Sequence, residues 1–75
     1  MKKTWAAQVR EARDNLAERL GQPRWTQVQL AQAMGVAPNT IAMWERGERS
    51  ASEQSVRILM YCYALALHGI DPRDL

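Results

Sequence analysis

The stretch of residues 26–47, TQVQLAQAMGVAPNTIAMWERG, constrains the fold of this chain more than any other. Thr26 can cap a helix with its hydroxyl, and Gln29 can reach back to the backbone amide of the cap, which together form a capping box. Trp25 before the cap and Leu30 inside the helix are placed to form a hydrophobic staple. The start of this helix is therefore specified by its own side chains.

The second half of the stretch predicts a turn and another helix. Gly35 follows the first helix where a chain commonly turns left-handed, and glycine adopts that conformation without strain. Pro38 suits the first position of a new helix because its φ angle is already set. Ile41 and Trp44 are spaced to share one buried helix face. We therefore predict two short helices joined by a tight turn.

The flanking segments predict two longer helices and an all-α fold. Apolar residues near the start of the chain repeat at intervals of three and four, which is typical of one helix face. Ser50 and Ser52 are alternative caps for the fourth helix, and His68 with Gly69 marks its end. The helices and a final turn are predicted over about residues 5–20, 27–34, 38–46, 53–67 and 71–75.

Length and composition are typical of one small domain over residues 1–75, since the chain is 47% apolar and 24% charged. The net charge of +2 permits nucleic-acid binding without requiring it. No apolar run follows Lys2 and Lys3, so we expect no signal peptide. The apolar run at 58–67 is about half of what spans a bilayer. We therefore expect a cytoplasmic protein.

Cysteine and histidine content argues against metal and redox chemistry. Cys62 is the one cysteine and His68 the one histidine, so an internal disulfide is excluded and a zinc site has too few ligands. No nucleophile and acid/base pair occur at a sensible spacing. We predict no metal site, no cofactor and no enzymatic activity.

The helix-turn-helix stretch resembles that of the Cro/Xre-type, or lambda-repressor-like, family of small bacterial and phage regulators. With its flanking helices, the resemblance covers about residues 9–68. The matching residues are Thr26-Gln27, Leu30-Ala31, Gly35-Val36, Thr40-Ile41 and Trp44-Glu45-Arg46-Gly47.

The resemblance implies a bundle of four to five helices that binds DNA as a homodimer, with the second helix of the motif in the major groove. It also implies that an arginine of the first helix pairs with Glu45, for which Arg13 is our first candidate and Arg19 our second. Ala37 departs from the family pattern, where serine or threonine commonly caps this helix. Asn39 or a DNA phosphate could take up the free amides instead.

Base readers are expected on the outer side of the second motif helix, opposite Ile41. Asn39 suits adenine, Thr40 can donate a hydrogen bond or pack on a thymine methyl, and Met43 offers apolar contact. Pro38 would only pack. Because this face carries no arginine near its start, we expect a half-site rich in A·T pairs.

Phosphate contacts are expected at the helix ends around that face. The resemblance implies Gln27, at the start of the first motif helix, where the helix dipole favours an anion. Arg46 and Arg49 follow the second motif helix, and Arg24 precedes the first. A solvated charge cluster of arginines and glutamates is the alternative for Arg46 and Arg49.

The fourth helix is apolar on more than one side, which indicates burial against a second element or molecule. We assign its core side to Val56, Leu59 and Tyr63, with Cys62 at the edge of that side. The predicted dimer interface comprises Ile58, Tyr61, Cys62 and Leu65. A fuller core covered by the first helix and the C-terminal tail is the alternative.

We therefore predict a sequence-specific transcriptional regulator, a repressor that binds an inverted repeat as a homodimer and controls its own operon. One alternative is an antitoxin that also masks a toxin partner. Another is a helical protein-interaction module that does not bind DNA. Trp25 is assigned to the staple, with contact to a base or sugar as the lesser option.

Overall fold

The computed structural model describes residues 3–74, which form helices and connecting turns without strands. The predicted all-α fold is confirmed. The elements are α1 (Trp5–Arg19), α2 (Gln27–Met34), α3 (Pro38–Glu45), α4 (Glu53–Leu67) and a C-terminal 3-10 turn (Pro72–Asp74). Of the final turn that we predicted over 71–75, Leu75 lies outside the described residues.

Side-chain caps begin three of the four α-helices. The hydroxyl of Thr4 accepts from the backbone of α1, and Thr26 with Gln29 forms the predicted capping box of α2. The hydroxyl of Ser52 accepts a hydrogen bond from the backbone amide of Ser55 and caps α4. Of the two alternative caps, Ser50 and Ser52, the structure therefore selects Ser52. The N-cap of α3 is Ala37, which provides no side-chain hydrogen bond.

The turn between α2 and α3 is made by Gly35, whose φ angle is 70°. A side chain at this φ angle brings Cβ close to the following carbonyl, so glycine is the residue that fits without strain. Its backbone amide donates to the carbonyl of Ala31 and closes the end of α2. The chain is thereby redirected into Pro38, the first residue of α3.

The core lies where the four helices meet. Its largest fully buried side chains come from every helix and from the segment before the cap of α2: Trp25, Leu16, Leu30, Ile41, Leu59, Val9 and Cys62. The staple residues Trp25 and Leu30 are both in this cluster. Base or sugar contact by Trp25 is therefore excluded in this fold, because its side chain is 1% exposed.

The helices are arranged so that α3 lies at the edge of the bundle. α2 packs against α3, both rest on α1, and α4 packs against α1 and α2. The C-terminal turn packs on α2 and α4. α4 turns Leu59, Cys62 and Ala66 toward the core. The assignment of Val56 to the core was wrong, since its side chain is 38% exposed on the outer side of α4.

Candidate nucleic-acid interface

α3 has one buried side and one free side, and this division defines the candidate interface. Ile41, Trp44 and Glu45 are buried at the junction with α1 and α2. Residues at helical spacing on the opposite side are accessible: Asn39, Met43 and Arg46. A helix held by one face and exposed on the other is the form in which such motifs enter a DNA groove.

A partly buried ion pair fixes α3 against α1. The Nη2 atom of Arg13 lies 2.9 Å from Oε1 of Glu45, and the two side chains are 16% and 8% exposed. Arg10 adds a second link, because its Nη1 atom donates to the backbone carbonyl of Glu45 at 2.9 Å. The first of our two candidates, Arg13, is thus confirmed, whereas Arg19 lies over the ring of Tyr63 instead.

Two indole rings support the same junction from the N-terminal end of α1. The rings of Trp5 and Trp44 meet edge to face, with centroids 5.3 Å apart and planes at 82°. Such pairs contribute about 0.5–1.5 kcal/mol beyond the burial of their area. The orientation of α3 therefore rests on packing as well as on charge.

The four predicted base readers lie along one end of α3 but do not all face the same way. Pro38 and Asn39 are exposed, and Met43 is half-buried beside them. Thr40 is half-buried on the other flank, where it lines an open groove between α3 and the start of α4 together with Arg49. Thr40 therefore lines the same groove as Arg49, apart from the side of α3 that carries Asn39.

The groove also contains residues that the sequence analysis did not select. Ser50, Ser52 and Ser55 line it with Thr40 and Arg49. The hydroxyl oxygens of Ser52 and Ser55 are 2.8 Å apart. The only signal in the sequence was the density of serines around the cap of α4, which we interpreted as capping alone. Hydroxyls and a guanidinium in one open groove suit contact with a phosphate.

The predicted phosphate contacts differ in whether a carboxylate of the protein already pairs with them. Arg24 lies 2.7 Å from the carboxylate of Asp14, and Arg46 pairs with Glu48. The side chains of these pairs are more than half exposed, so each pair contributes at most about 1 kcal/mol to stability. Either arginine can therefore leave its carboxylate partner and bind a phosphate instead. Gln27, the first residue of α2, is half-buried.

Arg49 is the predicted phosphate contact that keeps its charge uncompensated. Within residues 3–74, no carboxylate lies within ion-pair distance of its guanidinium. Its side chain is exposed on the groove between α3 and α4. Of the four phosphate candidates, Arg49 is thus the arginine that needs no rearrangement to meet an anion.

The four residues of the predicted dimer interface differ in how exposed the structure leaves them. Tyr61 is 60% exposed and available to a partner. Ile58 and Leu65 are half-buried at the flank of α4, with Ile58 packed against the core. The assignment of Cys62 was wrong, because its side chain is 1% exposed and its thiol donates to the carbonyl of Ala33. The apolar run at 58–67 has little periodic contrast, so helical spacing did not show where the buried side of α4 ends.

In the part of the chain from 3 to 74, no three histidine, cysteine or acidic side chains gather as metal ligands would. Burial raises the pKa of Cys62 to about 11, so its thiol is neutral at physiological pH. Over the same residues, no helix combines the length and the apolarity needed to cross a membrane.

Comparison with known protein families finds a match. A family model described as helix-turn-helix matches residues 9–60, which is more than half of the chain. The matched segment runs from the buried side of α1 to the middle of α4 and includes the whole of α2 and α3. No curated protein and no solved structure matches the chain.

Proposed function

The chain belongs to the Cro/Xre-type helix-turn-helix family, and we propose that it is a transcriptional repressor that binds an inverted-repeat operator as a homodimer. Family membership makes it a DNA-binding helix-turn-helix regulator. The observation that carries the proposal is the free side of α3, where Asn39, Met43 and Arg46 stand opposite a buried and ion-paired side.

We assign recognition of the DNA bases to the start of α3. The amide of Asn39 both donates and accepts hydrogen bonds, which matches N6 and N7 of adenine. Met43 provides an apolar contact suited to the methyl group of thymine, and Pro38 packs beside it. These side chains favour a half-site in which A·T pairs face the first turn of α3.

We assign the phosphate contacts that strengthen DNA binding to residues around this face. Gln27 and the free amides at the start of α2 meet one phosphate, and Arg49 with Thr40 meets another across the groove. Arg24 and Arg46 add contacts when they exchange their carboxylate partners for phosphates. Because binding of each phosphate releases counterions, about 0.9 units of salt slope accompany each contact. One copy with so few contacts binds weakly, which favours a dimer.

The dimensions of the molecule fit two copies on adjacent half-sites. Its longest dimension is 31 Å, close to the spacing of about 34 Å between half-sites one DNA turn apart. Two copies related by a two-fold axis would occupy about 20 base pairs. A promoter covered over that length is closed to other proteins, which is the basis for proposing repression, including repression of its own operon.

The dimer contact is assigned to the outer side of α4. Tyr61 from the predicted interface stands there beside two apolar side chains that the sequence analysis did not select, Met60 and Leu67. The exposed fractions of Met60, Tyr61 and Leu67 are 50%, 60% and 68%. Burying such side chains against a second copy removes apolar area from water, at about 25 cal/mol per Å².

The first test is a gel shift of the purified protein on the DNA upstream of its own gene. Asn39→Ala should weaken binding because it removes a base contact worth about 1–3 kcal/mol. Asn15→Ala is the matched control, since Asn15 is an exposed asparagine on α1 whose amide bonds to Tyr63 of α4. Equal binding by both variants would remove Asn39 from the interface, and absence of binding by the wild type at low salt would contradict the proposal.

A further inference from the structure

The C-terminal turn is joined to the loop before α2 by a network that the proposed DNA contacts do not use. We call Gln22, Trp25, Asp71 and Arg73 the C-terminal clasp. The guanidinium of Arg73 lies over the ring of Trp25, 4.6 Å from its centroid. The same guanidinium donates to Asp71 at 2.6 Å and to Gln22 at 2.9 Å. The side chains of Arg73 and Asp71 are 22% and 13% exposed.

Gln22 is the centre of the clasp because it bonds to each of the other members. Its Oε1 atom accepts from Nε1 of Trp25 at 2.8 Å and from Arg73. Its Nε2 atom donates to Asp71 at 3.2 Å. Hydrogen bonds from Arg73 and Gln22 hold the pKa of Asp71 well below its usual range. The ion pair is therefore formed at every pH suited to DNA binding.

The clasp attaches directly before the first turn of α2. Trp25 precedes Thr26, whose backbone amide donates to Gln29 at 2.7 Å in the capping box. The next residue is Gln27, the proposed phosphate contact at the first helical position. The backbone amide of Trp25 also donates to the carbonyl of Arg13. Trp25 is thus bound on its ring, on its indole nitrogen and on its backbone.

We propose that Asp71 and Arg73 are positioning residues that hold the first turn of α2 in the orientation required to bind a DNA phosphate. Contact with an anion depends on the exact direction of Gln27 and of the first free amides, and neighbouring groups set that direction. A short helix has few contacts of its own at its start. The inference rests on the proposed function, because the phosphate is that of the operator.

Charge alone predicts the opposite effect for one of the two residues. Removing the carboxylate of Asp71 makes the protein more positive, and general electrostatics would then strengthen binding to DNA. If Asp71 acts by positioning, the same change weakens binding, because the guanidinium of Arg73 loses its partner and the clasp opens. The sign of the effect of Asp71→Asn therefore separates the two explanations.

The experiment measures the affinity of Asp71→Asn and Arg73→Met for the operator fragment by fluorescence anisotropy, in the full chain and at several salt concentrations. Glu11→Gln and Lys3→Met are the matched controls, since they make the same charge changes in an exposed ion pair at the start of α1, away from the proposed DNA and dimer contacts. We expect both clasp variants to bind about tenfold more weakly, as losses of positioning partners do at other sites. Glu11→Gln should bind as tightly as the wild type or more tightly.

Hydrogen exchange of backbone amides provides a second measurement that does not need DNA. Exchange at Gln29 and Leu30, the first bonded amides of α2, should become faster in Asp71→Asn and unchanged in Glu11→Gln. Unchanged or tighter DNA binding by Asp71→Asn would overturn the positioning role. Acceleration in α4 as large as that at Gln29 and Leu30 would also overturn it, because the clasp would then contribute to global stability alone and have no particular effect on the start of α2.

Failure of the proposed function is distinguishable from failure of this inference. If the wild type binds no DNA, the proposed function falls, and the exchange of Gln29 and Leu30 still decides whether the clasp holds α2. If the wild type binds and Asp71→Asn leaves both affinity and exchange unchanged, the regulator stands and the clasp proposal falls.

Discussion

The guanidinium of Arg13 lies 2.9 Å from the carboxylate of Glu45, and this contact joins α3 to α1 inside the protein. Glu45 follows Trp44 on the buried side of α3, one helical position before the cap. The pair lies on the side of α3 opposite Asn39. It therefore fixes the orientation of the exposed side of α3 without contacting DNA itself. Substitutions on the buried side of α3 therefore test the DNA-binding surface as well as substitutions on its exposed side do.

We expect Arg13→Met to lower the free energy of unfolding by about 3 kcal/mol, because it leaves the carboxylate of Glu45 buried without its partner. Arg57→Met is the control, since the ion pair between Arg57 and Glu53 is about 80% exposed and should contribute less than about 1 kcal/mol. Urea unfolding monitored by circular dichroism measures both. Similar small losses in the two variants would mean that the buried pair adds no specific stability.

Gly35→Ala should destabilise the protein by about 1–2 kcal/mol, because alanine is strained at the left-handed φ angle of this turn. An added Cβ meets no atom within 4 Å, so a steric clash would not be the cause. Gly35→Asn should cost less, since asparagine tolerates this conformation better. Thermal unfolding of the two variants compares them. Equal melting temperatures for Gly35→Ala and the wild type would contradict the assignment.

Ala37→Ser should stabilise the protein by about 1 kcal/mol. Ala37 has the extended backbone of an N-cap, with φ of −70° and ψ of 144°, but no side-chain oxygen. A serine hydroxyl can accept from the first amides of α3, as Thr26 does for α2. Thr26→Ala is the opposite control and should lose a similar amount. A decrease in the urea midpoint of Ala37→Ser would show that those amides are already satisfied.

Arg49→Ala should reduce the salt dependence of DNA binding by about one unit of slope, with a similar weakening on every DNA sequence. Lys3→Ala removes the same charge from an exposed position before α1 and should leave the slope unchanged. Measurements of affinity at several salt concentrations provide the two slopes. An altered sequence preference in Arg49→Ala would instead place Arg49 on a base edge.

Asp71→Asn should destabilise the protein at pH 7, and the difference from the wild type should shrink as the pH falls below about 4. The pKa of Asp71 is lowered in the folded state by hydrogen bonds from Arg73 and Gln22. Its stabilising contribution is therefore present above the pKa of the unfolded chain, about 3.9, and is lost as the pH falls through the folded value. Urea unfolding at pH 7, 5 and 3 tests this dependence. A constant difference between the two proteins at all three values would contradict it.

The sequence by itself determined the helix-turn-helix, because its signals act over a few residues. The capping box of Thr26 and Gln29, the turn at Gly35 and the start of α3 at Pro38 each depend on near neighbours in the chain. The buried side of α3 followed from the spacing of Ile41 and Trp44 in the same way. Helical periodicity carries this information without knowledge of any other element.

Helical spacing correctly assigned Leu59 and Tyr63 of α4 to the core, but only the tertiary structure decided where that buried side ends, since the apolar run at 58–67 has little periodic contrast. The tertiary structure placed Cys62 inside and left Val56 exposed. It also brought Arg73 to Gln22, 51 residues away in the chain. Contacts over such separations depend on how all the helices pack together, and no local spacing of residues specifies that arrangement.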